Sequence, residues 1–136
     1  MKPDTFTILV IDDDTEDLGI FSDAIERIGP PLLCKPVAKC RSALKQLASK
    51  EIQPQLIFLD VHLDDMDGIE CLRMLKEDKE LSPIPVVMIS ELYNERLHKA
   101  ATKLGAINYF KKPPRMEELI DLIKSTLPAE LHLNSV

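Results

Sequence analysis

Four places in this chain carry side chains that could do chemistry together, and each one ends an apolar run. Ile8-Leu9-Val10-Ile11 runs into Asp12-Asp13-Asp14, and Leu56-Ile57-Phe58-Leu59 ends on Asp60. Val86-Val87-Met88-Ile89 ends on Ser90, and Ile107 to Phe110 ends on Lys111-Lys112-Pro113. Burying an ionised carboxylate without a partner costs several kcal/mol, so these acids must stand at the exposed ends of their runs. Acids held close together raise one another's pKa, and a hard divalent cation relieves the conflict by taking oxygen ligands. A plainer reading of the first cluster is a helix cap, with Asp14 or Thr15 at the N-cap and Glu16 and Asp17 favouring the dipole. The cap accounts for Asp14 through Asp17 but not for Asp12 and Asp13, which come too early.

The elements that would position these groups alternate along the chain. Leu18, Phe21, Ala24, Ile25 and Ile28 fall on one helical face, and Gly29-Pro30-Pro31 stops that helix. Leu32 to Val37 reads as a second strand, which Pro36 demotes to an edge. Ser42 to Lys50 reads as helix with Ala43, Leu44, Leu47 and Ala48 inward. A third helix, from Asp67 or Gly68 to Lys79, buries Ile69, Leu72 and either Leu75 or Met74. Ser82-Pro83-Ile84-Pro85 leads into the fourth strand, Leu92 to Leu104 forms the fourth helix, and Pro114 to Leu127 the fifth. Five strand–helix alternations predict an α/β, doubly wound parallel sheet of flavodoxin-like (βα)5 type, with strand order 2-1-3-4-5. In such sheets ligands bind outside the carboxyl ends of the strands, where all four chemical groups are expected.

With 136 residues and 45% hydrophobic content the chain can bury one domain's core. We read residues 1–128 as that domain and 129–136 as a short tail with no output domain. No apolar stretch reaches the roughly 20 residues of a membrane span, and the acid at position 4 does not suit a signal peptide, so a cytoplasmic protein is expected. The net charge of −6, the absence of Trp and the 4% aromatic content argue against direct nucleic-acid binding. Cys34, Cys40 and Cys71 lack metal-ligand spacing, and their odd number argues against a disulfide framework; they read as ordinary thiols. His98 and His132 read as solvated surface residues.

The same residues resemble the receiver domain of two-component response regulators, roughly from Thr7 to Leu127. Asp12-Asp13 is similar to the family's acidic pair, Phe58-Leu59-Asp60 to its phosphoacceptor strand, and Met66-Asp67-Gly68 to the loop that follows. Ile89-Ser90 matches the switch hydroxyl, and Gly105-Ala106 through Tyr109 to Lys112-Pro113 the closing lysine motif. Each piece alone is weak, but all of them in order at the family's spacings are specific. The resemblance implies a stand-alone, chemotaxis-type phosphoprotein that carries 4-aspartylphosphate on Asp60, taken from a sensor histidine kinase or a histidine phosphotransfer protein. It implies Mg²⁺ held by Asp13, Asp60 and the backbone carbonyl of His62, with Asp12 acting through a metal-bound water. Lys112 would pair with Asp60 before modification and with phosphoryl oxygens afterwards, across a cis Lys112–Pro113 bond. Ser90 would bind the phosphoryl group and Tyr109 would rotate inward behind it, although Tyr109 also reads as a plain core aromatic. The switched surface of fourth helix, fifth strand and fifth helix would meet a downstream protein target, and could also join two copies as a homodimer. Such a domain catalyses only its own phosphorylation and dephosphorylation and is not otherwise an enzyme.

Three departures stand against the resemblance. Asp64 replaces a usual proline, Glu91 replaces a usual small residue beside Ser90, and His62 and Leu92 occupy the variable positions that modulate access to the site. Glu91 also supports a rival reading, a pseudo-receiver that binds proteins without being phosphorylated. Haloacid-dehalogenase-type phosphatases share aspartyl-phosphate chemistry, but their Asp-x-Asp-x-Thr/Val motif is out of phase in Asp12-Asp13-Asp14-Thr15-Glu16. An EF-hand fails because Asp64-Asp65-Met66-Asp67-Gly68 lacks the ligand spacing and closing Glu.

Overall fold

The computed structural model describes residues 5–131 and 133; His132 and the last three residues of the expected tail lie outside them. The chain alternates β1 (Phe6–Ile11), α1 (Thr15–Ile28), β2 (Leu32–Val37), α2 (Cys40–Ala48), β3 (Leu56–Asp60), α3 (Gly68–Glu77), β4 (Val86–Ser90), α4 (Glu95–Leu104), β5 (Asn108–Lys111) and α5 (Met116–Thr126). The sheet is parallel throughout, in the order β2-β1-β3-β4-β5. The expected doubly wound, flavodoxin-like topology is the observed one.

The apolar runs become central strands because helices cover both faces of the sheet. Every residue of β3 and β4 is buried. On one face Ile8, Val10, Phe58, Val87 and Ile89 pack against Leu18, Phe21 and Ile25 of α1 and Leu119 and Ile123 of α5. On the other, Leu9, Ile11, Ile57, Leu59 and Met88 meet Ala43 and Leu47 of α2, Leu72 and Leu75 of α3 and Ala101 of α4. β2, which carries Pro36, pairs only with β1 and is an edge. Among the described residues no helix is long and apolar enough to cross a membrane.

Helix starts differ from their sequence expectations where a cap comes from elsewhere. α2 begins at Cys40, two residues early, because Asp65 of the β3–α3 loop accepts the N–H groups of Cys40 at 3.2 Å and Arg41 at 2.9 Å. Desolvation raises the Asp65 carboxyl, but those two bonds, together with its own backbone N–H and the Arg41 charge, hold it below its ordinary pKa. α4 begins at Glu95 rather than Leu92, since the Asn94 side chain accepts the Leu97 N–H at 3.0 Å and sets the start. Leu75, not Met74, is the buried residue of α3, and Ala48 is exposed.

Three expectations require correction. Cys40 and Cys71 are joined in a disulfide, their Cα atoms 6.3 Å apart, and Cys34 alone is free. Their chain separation of 31 residues hid a proximity that the packing of α2 beside α3 creates. Lys112–Pro113 is trans, and among the described residues the one cis bond is Pro30–Pro31. Trans is the ordinarily favoured isomer by about 0.5–1 kcal/mol. It leaves the Lys112 N–H bonded to the Ser90 carbonyl at 2.7 Å and its ammonium in reach of two carboxylates. His98 is half-buried rather than solvated, stacked on Tyr109 with ring centroids 5.3 Å apart.

Candidate functional site

The parallel register brings the four chemical groups to one end of the sheet. Asp60 closes β3 and Ser90 closes β4, Asp12 follows β1, and Lys112 follows β5. Backbone bonds extend the ladder past the strands: Asp12 N–H donates to Val37 O at 3.1 Å and Val61 N–H to Ile89 O at 3.0 Å. These bonds fix the side chains on rigid elements rather than on free loops. Asp14 caps α1, its Oδ1 accepting from Glu16 at 2.9 Å and Asp17 at 3.2 Å, so the cap reading holds for Asp14, while Asp12 and Asp13 take no part in the cap and lie beside Asp60.

Asp12, Asp13 and Asp60 each offer a carboxylate oxygen within 4.8 Å of the others. Asp12 is fully buried and Asp60 is 5% exposed. Burial first, and then repulsion from Asp12, push the Asp60 carboxyl up to about 7, against the opposing pull of Lys112 and the His62 N–H. Asp13 is raised too, by desolvation, by a hydrogen bond with Asp64 and by repulsion from Asp64 and Asp12. A site whose carboxylates resist ionisation together is one a cation would stabilise.

The α3 side of the site depends on a glycine. A Cβ at Gly68 would stand 2.2 Å from the Asp60 carbonyl oxygen and 2.6 Å from that of Val61. The Gly68 N–H donates to Val61 O at 2.8 Å, so the helix start lies directly against the end of β3. Only a residue without a side chain permits that approach.

Lys112 sits in a tighter set of ion pairs than the sequence reading foresees. Its Nζ lies 2.8 Å from Asp12 Oδ2, 2.7 Å from Asp17 Oδ2 and 3.6 Å from Asp60 Oδ2. The expected partner, Asp60, is therefore the most distant of the three. Desolvation lowers the Lys112 pKa, but the hydrogen bonds to Asp12 and Asp17 and the attraction of Asp60 outweigh it and raise the pKa overall. Asp17 is the residue that sequence reasoning passed over as a helix-start acid. Its position in the first turn of α1, directly after the Asp12-Asp13-Asp14 run, is the signal that could have found it.

Ser90 Oγ is buried and has no hydrogen-bond partner among the described residues, and the same is true of Tyr109 Oη. Tyr109 is already inside, at 4% exposure. His98 stacks on its ring, and Tyr93 meets it edge-on at 5.8 Å while its hydroxyl pairs with His98 Nδ1 at 2.9 Å. Glu91 and His62 line the cleft beside Asp60, as do Asp64 and Asp17; Leu92 is 74% exposed and does not line it.

This arrangement can hold a divalent cation on carboxylate oxygens, present Asp60 as a nucleophile, and offer an ammonium and a free hydroxyl to an anionic group. Comparisons with known proteins identify the family. Residues 8–124 match the family described as the response regulator receiver domain. The Polar-differentiation response regulator DivK of Brucella ovis is 29% identical over 124 residues, covering 90% of this chain and 97% of that protein. DivK of Brucella anthropi is 28% identical over 122 residues, covering 89% and 95%. The phosphorylated cyanobacterial phytochrome response regulator RcpA matches with a TM-score of 0.81 at 26% identity, covering 90% of this chain and 91% of that one. A response regulator receiver domain from Rhodospirillum rubrum matches with a TM-score of 0.75 at 28% identity, covering 88% and 89%. With the family's match spanning most of the sequence, the fold and the acidic cleft at its carboxyl end, the chain belongs to the response regulator receiver domain family.

Proposed function

We propose that the protein is a phosphoryl-accepting switch of a two-component system, modified on Asp60 in a Mg²⁺-dependent reaction. The donor is a phosphohistidine of a sensor histidine kinase or of a histidine phosphotransfer protein. An Asp60 carboxylate oxygen attacks phosphorus, the phosphorus–nitrogen bond breaks, and the imidazole nitrogen leaves with the electron pair and takes up a proton. The observation that carries this reading is the gathering of two further carboxylates and the Lys112 ammonium around Asp60, with the unpartnered Ser90 hydroxyl at the end of the adjacent strand.

Asp12, Asp13, Asp60 and the backbone carbonyl of His62 would hold Mg²⁺, which suits few protein ligands and oxygen donors. The ion would neutralise charge on the transferring group. Lys112 orients and neutralises phosphoryl oxygens, and Ser90 donates a hydrogen bond that the resting protein leaves unused. The changed Ser90 environment biases the neighbouring surface of α4, β5 and α5, where Tyr109, His98 and Tyr93 pack together, toward a downstream protein target or a second copy. We place this signalling in the cytoplasm. The solved structure of RcpA, a structural relative, is of the phosphorylated protein, which supports the same chemistry here.

The test is labelling by a small-molecule phosphodonor with Mg²⁺, read by intact-mass spectrometry. Wild type gains one phosphoryl group and Asp60→Asn gains none. A variant that labels as fully as wild type removes Asp60 as acceptor. A wild type that never labels favours the pseudo-receiver reading, whose supporting observation is the acidic wall of Glu91 and Asp64 around the cleft.

A further inference from the structure

Among the described residues lining the cleft, Lys112 is the one cation facing Asp13, Asp14, Asp17, Asp60, Asp64 and Glu91. An ammonium has three N–H donors. Asp12 takes one at 2.8 Å and Asp17 another at 2.7 Å, while Asp60 Oδ2, at 3.6 Å, lies outside hydrogen-bond range. The Lys112 side chain is 11% exposed and that of Asp17 20%, so solvent screens their attraction little. Asp12 has a second task, accepting the Asp14 N–H at 3.0 Å. The Asp17 carboxylate has no partner but Lys112 among the described residues.

We propose that Asp17 is a positioning residue that draws Lys112 toward α1 and off Asp60, so that phosphoryl uptake requires the ammonium to pass from Asp17 to the incoming phosphoryl oxygens. The kinetic consequence rests on Asp60 being the acceptor; the tether itself is a property of the resting protein. It follows from the ranking of distances. A group transferred to Asp60 needs its charge neutralised at Asp60, and the one ammonium among the described residues lining the cleft is bound more closely to a carboxylate on a different element. Asp17 thereby sets a threshold on uptake that loss of its charge would lower.

Two measurements test this, with Glu91→Gln as a control that removes a cleft charge without touching Lys112. In the first, the ¹⁵N resonance of the Lys112 ammonium is recorded without any phosphodonor. Asp17→Asn shifts it and Glu91→Gln leaves it in place; a resonance unchanged by Asp17→Asn overturns the tether. In the second, labelling by acetyl phosphate with saturating Mg²⁺ is followed against donor concentration. Here an Asp60 oxygen bonds to phosphorus as the bond from phosphorus to the acetyl oxygen breaks, and acetate leaves with the electron pair. Asp17→Asn raises the rate at saturating donor several-fold and keeps that gain at high salt. Glu91→Gln lowers the half-saturating concentration and loses its effect in salt. If Asp17→Asn behaves only as Glu91→Gln does, or is slower than wild type at saturation, the carboxylate is a bulk charge or a support and the proposal is wrong. Asp17→Glu, which keeps the charge, stays near wild type. A wild type that does not label defeats the functional reading alone, and the resonance then decides the tether by itself.

Discussion

Asp60 in the metal-free protein should be a liability to stability that its amide would remove. Its carboxyl titrates at about 7 when folded against an ordinary 3.8, so the folded chain keeps the Asp60 proton to higher pH than the unfolded chain does. Stability from this group is therefore full below pH 3.8, falls as pH rises, and is lost once pH passes about 7. At about 1.4 kcal/mol for each pH unit, the full loss comes to about 4 kcal/mol. At pH 5 well under half of that loss has accrued. Asp60→Asn keeps the shape and carries no charge, so it should exceed wild type by those amounts. Urea unfolding in the presence of a chelator, at a series of pH values from 5 to 8, reads the gap directly. Mg²⁺ should then narrow the gap at pH 8, because a cation bound only by the folded carboxylates stabilises wild type more than the variant. An Asp60→Asn protein no more stable than wild type at pH 8, or a gap that does not shrink toward pH 5, would refute the reasoning.

Ser90→Ala should leave stability within about 1 kcal/mol of wild type, since the buried Oγ has no partner to lose, while slowing labelling on the order of 100-fold. A large loss of stability, seen in the same urea titration, would mean that the hydroxyl does structural work. Gly68→Ala should cost more than about 2 kcal/mol, because its Cβ would meet the backbone oxygens of Asp60 and Val61 and no side chain can move aside. It should also depress labelling by displacing the end of β3, and a variant of wild-type stability and rate would show that α3 shifts freely. Glu91→Ala should speed labelling by an anionic phosphodonor, most at low salt, because an exposed carboxylate lining the cleft repels the donor. Equal rates at every ionic strength would clear Glu91 of that role.

What local sequence could determine, it did. Strands covered on both faces must be apolar runs, so β1, β3 and β4 are visible as Ile8–Ile11, Leu56–Leu59 and Val86–Ile89. The residue that ends such a run stands at the sheet's carboxyl edge whatever the rest of the chain does, which is why Asp12, Asp60, Ser90 and Lys112 could be assigned to one place. Asp14 as a cap and Pro36 as an edge marker are equally local, resting on one side chain and one missing N–H. Tertiary structure alone decided the rest, because each remaining feature joins segments whose separation in the chain carries no pattern. Asp65 caps a helix 25 residues behind it, and Cys40 meets Cys71 across two helices. Tyr109 lies inside because His98 and Tyr93 of the α4 region close over it. Lys112 prefers Asp17 to Asp60 because α1 places that carboxylate 2.7 Å from the ammonium, 95 residues away along the chain. Sequence names the charges at the site; which of them pair is settled by differences in distance of an ångström or less, and those exist only once the helices have packed.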